Sequence, residues 1–98
     1  MSSLPPELHA EYEKWTVAVP YQKVDGLMDS NLALYSKWMA LRSMITKNDF
    51  DNIEDEPYPP EVYKVDHAIW EQKNALKGTS TEDAVAQYAA VAQEILDQ

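Results

Sequence analysis

Two histidines, His9 and His67, are the side chains of this 98-residue sequence best suited by type to titrate near neutral pH or to ligate a metal. Carboxylates flank both, Glu7 and Glu11 around the first, Asp66 and Glu71 around the second. Neither has a second imidazole at a ligand spacing such as His-x-x-x-His, so surface or half-buried histidines are expected, with no metal site. The run "DFDNIEDE" gathers carboxylates but lacks the glycine and ligand spacing of a calcium loop, and reads as solvated acid. Cysteine is absent, which excludes thiol nucleophiles and disulfides. With only Gly26 and Gly78, no phosphate-cradling glycine loop exists, and no Ser-His-Asp order or hydrolytic carboxylate pair is found. No catalytic residue and no cofactor is therefore expected. The chemistry left is that of aromatic faces. Tyr35, Trp38 and Tyr88 have the ring types that stack on a planar ligand, and equally the helical spacing of core aromatics; the residues alone leave both readings open.

Those rings lie on segments with helical periodicity. Leu8, Tyr12, Trp15 and Val19 mark one helix face behind Pro5 and Pro6, predicting a helix over about 6–19 that stops before Pro20. Gly26 marks a loop beyond it. Asp29 or Ser30 is the expected cap of a second helix, about 30–46, with Leu34, Trp38, Leu41 and Ile45 as its stripe and Tyr35 and Met39 at the side. Residues 48–60 fall in a stretch, "NDFDNIEDEPYPPE", with six acidic residues, three prolines and no base, which predicts a long exposed acidic loop; its Phe50, Ile53 and Tyr58 suggest that the loop docks on something. Val62, Val65, Ile69 and Leu76 define a third helix, about 61–77, closed by Gly78. Thr79 or Ser80 caps a fourth, about 80–97, with Glu82 and Asp83 in its first turn and Ala84, Tyr88, Val91 and Ile95 on its buried side. The expected architecture is a single all-α domain, 1–98, built as a four-helix bundle.

Composition narrows the partners. A net charge of −9 repels phosphate backbones and anionic lipid surfaces, so nucleic acid is not expected. No apolar run reaches the roughly 20 residues of a membrane span, and the start resembles neither a signal peptide nor an Arg-rich presequence. The default expectation is cytoplasmic, with a mitochondrial location as the alternative.

The last third carries more than periodicity. "WEQKNALKGTSTEDAVAQYAAVAQEIL" closely resembles the third-to-fourth-helix segment of the acyl-CoA-binding protein family, through Trp70, Leu76, Lys77, Gly78, Thr79, Ser80, Glu82, Asp83, Ala84 and Tyr88. "LALYSKWM" is similar to the second-helix motif of that family, with Tyr35 and Trp38 at its two aromatic positions. The resemblance implies a four-helix fold in which an acyl chain lies in a groove, an adenine stacks on an aromatic ring, and lysines neutralise phosphates. It would place Tyr35, Trp38 and Tyr88 at the nucleotide end. This sequence departs from the pattern where the family has lysines: Met39 follows the second aromatic, Ile69 precedes Trp70, and Lys64 lies one place off a lysine position taken by Val65. Losing two charge-assisted hydrogen bonds costs about 3–6 kcal/mol, or roughly 10² to 10⁴ in affinity. The implied function is a non-catalytic module that binds a long-chain acyl-CoA or other acyl lipid with a weakened phosphate grip, its candidate site being Tyr35, Trp38, Met39, Ile69, Tyr88 and Lys64. The alternative is a structural subunit of a larger assembly, mitochondrial in one version, that has lost the ligand and meets a protein partner through its apolar groove or acidic loop.

Overall fold

A computed structural model describes residues 4–47 and 62–98; the acidic loop expected over 48–60 lies outside the described residues. The described chain is all helical, without a strand. It has five helices where four were expected: α1 Pro6–Ala18, α2 Tyr21–Ser30, α3 Leu32–Lys47, α4 Lys64–Ala75 and α5 Thr81–Leu96.

The additional helix is α2, which occupies the stretch expected to be loop. Pro20 does end α1, yet its own backbone is extended, with φ −66° and ψ 140°, so it stands outside the next helix and can begin it. Its carbonyl accepts the Lys23 and Val24 amides at 3.1 and 3.3 Å. Val24 and Leu27, one turn apart, are buried. Burying each contributes about 1.5–3 kcal/mol, more than the roughly 0.5–1 kcal/mol that exposed Gly26 costs within a helix. Tertiary burial therefore outweighs the local breaker.

A single residue separates α2 from α3. Asn31 leaves the helical conformation at φ −156° and ψ 77°, and its amide closes α2 on the Leu27 carbonyl at 2.8 Å. Its side-chain Oδ1 accepts the Leu34 amide at 3.2 Å, and its carbonyl accepts the Tyr35 amide at 3.1 Å. Asn31 is thus the cap of α3 in place of Asp29 or Ser30, because Ser30 belongs to the last turn of α2, where its hydroxyl donates to the Gly26 carbonyl at 3.1 Å.

The corner between α4 and α5 follows its sequence signals. Helix α4 is shorter than expected at both ends, leaving Val62 outside it and exposed. Leu76 turns into the core, the Thr79 amide donates to the Leu76 carbonyl at 2.9 Å, and Gly78 adopts the left-handed conformation at φ +82°. Of the two candidate caps it is Ser80 whose hydroxyl accepts the Asp83 amide, at 3.1 Å, while Glu82 and Asp83 face the positive end of α5. Ser80→Ala is expected to lower the unfolding free energy by about 1 kcal/mol, read as a drop of about 4–8 °C in a thermal melt followed by circular dichroism.

The corner delivers α5 to the middle of the molecule. It packs on α1 and α3 and touches α2, while α3 also carries α2 and α4. Ala84, Val85, Tyr88, Val91, Ala92 and Ile95 are buried on α5, opposite Leu34, Trp38, Leu41 and Ile45 of α3. Among the described residues no buried side-chain nitrogen or oxygen lacks a hydrogen-bond partner; Ser36, buried in α3, donates to the Ala33 carbonyl at 3.0 Å.

Candidate functional site

Packing α3 against α5 brings Trp38 onto Tyr88. Their ring centroids are 4.2 Å apart and the planes differ by 12°. The two are buried, at 2% and 0% exposure. Tyr12 of α1 stacks on Tyr88 as well, at 4.9 Å and 25°. Stacked geometries of this kind contribute about 0.5–1.5 kcal/mol each beyond the area they bury.

Polar atoms at the edge of the stack are satisfied between helices. The Thr16 hydroxyl donates to the Tyr12 carbonyl at 2.8 Å and lies 2.6 Å from the Tyr88 hydroxyl. Its single proton being used, Tyr88 donates to it. Tyr12 reaches the Thr46 hydroxyl at 3.1 Å, which ties α1 to the end of α3. Burial pushes the Tyr88 phenol well above its ordinary pKa, so the ring is a neutral donor at physiological pH. Tyr12, Thr16 and Thr46 belong to this cluster without having been singled out as site residues. The available signal was the one-turn spacing of Tyr12 and Thr16 beside the apolar face of α1.

The remaining candidates are more exposed than Trp38 and Tyr88. Tyr35 and Met39, one turn apart on α3, and Ile69 on α4 are half-buried and packed against the core, each keeping some surface at water. Lys64 is exposed at the first residue of α4, where it lines a cleft of about 300 Å³ with Val62, Tyr63, Val65 and Asp66. The structure therefore brings Trp38 and Tyr88 together, and leaves Tyr35, Met39, Ile69 and Lys64 toward the surface.

Both histidines form pairs one turn along their own helices. His9 Nε2 lies 3.1 Å from Glu13 and His67 Nε2 lies 3.7 Å from Glu71. Glu71 is one of the carboxylates that flank them in sequence. Among the described residues no group of three or more His, Asp or Glu side chains is arranged to hold a metal ion, and no helix is long and apolar enough to cross a membrane. Comparison with known proteins finds no matching family model, no matching curated protein and no matching solved structure.

Proposed function

We propose that the chain is a non-catalytic helical module, similar to the acyl-CoA-binding proteins, that holds an acyl lipid by its chain and does not grip a nucleotide. The observation that carries this reading is the Tyr12–Tyr88–Trp38 stack. A ring can bind a ligand's planar base only with a free face, and Tyr88 has a neighbouring ring at 4.9 Å and another at 4.2 Å. Of the three rings that the resemblance would place at the nucleotide end, Tyr88 has both faces taken by rings of this chain, while Tyr35 stays half-buried at the surface. Of the candidate residues, Tyr35 and Met39 on α3 and Ile69 on α4 keep apolar surface at water, with exposed Lys64 as a cation for an anionic headgroup.

A ligand held in this way is recognised by its hydrocarbon. Calorimetry with a long-chain acyl-CoA and the free fatty acid of equal length is expected to show saturable binding of both, with affinities within about threefold of each other. Met39→Asp and Ile69→Asp should weaken both ligands by about tenfold or more, because each places a charge where the chain would lie. No heat from either ligand at high micromolar concentration would sink the reading. An acyl-CoA held tenfold more tightly than the acid would restore the nucleotide grip.

A second reading, an interaction subunit of a larger assembly, is favoured by Val17 and Tyr21, which are 84% and 76% exposed on either side of Pro20. On that reading the protein elutes from native lysate far above its own 11.2 kDa. Val17→Lys combined with Tyr21→Lys then returns it to the monomer position.

A further inference from the structure

We infer that α1 is a displaceable strap, hinged at Val19–Pro20, whose Tyr12 ring occludes one face of Tyr88 when closed and bares it when open. The inference goes beyond the acyl-lipid reading: Met39 and Ile69 stand on α3 and α4, which stay in place, and the closed state is the one in which Tyr88 offers no free face.

Four observations point the same way. None of the 13 residues of α1 is buried, whereas α5 buries six. Helix α1 begins at Pro5 without a side-chain cap and ends without a basic residue to meet its negative end. Its most extensive contacts are with α5. Much of its polar bonding is internal: the Trp15 indole donates to Glu11 at 2.8 Å, and Lys14 lies 4.9 Å from the Trp15 ring centroid. These contacts survive when the helix moves as a unit. Across to the rest of the molecule, α1 has the Tyr12 stack, the hydroxyl contacts to Thr46 and Tyr88, and its half-buried apolar residues.

The hinge is defined by what remains fixed on its far side. Val19 is buried, and α2 is anchored in the core through Val24 and Leu27. Between the two helices lie only Val19 and Pro20, and the proline removes the amide that would continue α1 into α2. Tyr88 is held from the opposite side, its ring nearer to Trp38 than to Tyr12 and more nearly parallel to it. Displacing α1 thus leaves a one-sided aromatic platform and a free phenol hydroxyl, with the α3–α5 pair intact. Once released, a helix of 13 residues is marginal in water, so its amides exchange with solvent during each opening.

Native-state hydrogen exchange on the full chain tests the inference. Amides from Ala10 to Ala18 are expected to exchange at least about tenfold faster than those from Tyr88 to Ile95. Tyr12→Ala should speed α1 exchange a further 2- to 12-fold, roughly the loss of one aromatic stack, and leave α5 exchange unchanged. In parallel, nitration of Tyr88 by tetranitromethane, located by peptide mass spectrometry, should accelerate by the same factor while the helical circular dichroism is retained. A single exchange rate shared by α1 and α5 overturns the strap, and so does Tyr88 nitration that follows global unfolding.

Discussion

Tyr88→Ala lowers the free energy of unfolding by about 3–5 kcal/mol, the cost of emptying a buried aromatic site that its surroundings fill only in part. The ring is at 0% exposure and supports Trp38 from one side and Tyr12 from the other, so its removal leaves two further rings without a face to stack on. If the total stability is about 5 kcal/mol, the low end of the range for a domain, this is enough to leave a sizeable unfolded fraction at 37 °C. Tyr88→Phe separates the ring from its hydroxyl. It keeps both stacks and loses the 2.6 Å contact to Thr16, which costs about 1 kcal/mol. Urea unfolding of the two variants distinguishes the contributions. A cost below 1 kcal/mol for the alanine variant would mean that the stack is not at the centre of the fold.

Trp38→Ala carries a penalty of similar size, about 3–5 kcal/mol, because the indole is 2% exposed and fills the space between α3 and α5. Tyr35→Ala, three residues earlier on the same helix but half-buried, should cost only about 1 kcal/mol. The pair thus separates two roles that adjacent positions in one motif would otherwise share. A double-mutant cycle between Trp38 and Tyr88 is expected to return a coupling of about 0.5–1.5 kcal/mol, measured by chemical denaturation. Additive penalties would show that the two rings do not support each other. Any loss of ligand binding in Trp38→Ala must be read after its folded fraction is known.

The sequence was most readable where local chemistry and burial agree. Gly78 needs a positive φ, Thr79 or Ser80 can cap a free amide, and the α5 stripe from Ala84 to Ile95 has one helical period, so this corner is legible to within about two residues, with the choice of Ser80 made by the structure. Helix α2 was hidden because Pro20 and Gly26 are local signals of interruption, while the burial of Val24 and Leu27 is decided by a distant surface. Their one-turn spacing was the clue, weak in so short a segment. Asp29 and Ser30 compete with Asn31 as caps in the sequence for a related reason: without α2 the start of α3 has no fixed neighbour. For the candidate site, periodicity put Trp38 and Tyr88 on the facing sides of their helices but could not say which ring would cover Tyr88's other face. That depends on how α1 docks, and no spacing within α1 specifies it.

The single non-helical residue between α2 and α3 has a larger effect than its size suggests. A continuous helix over residues 21–47 would be a rod of about 40 Å at 1.5 Å per residue, longer than one small globule can wrap around. Leu27 and Ile45, 18 residues apart, would share one face of such a rod, yet a straight rod could not fold its first ten residues back on its last sixteen. Asn31 interrupts the rod, so α2 packs against α3 and both reach α5.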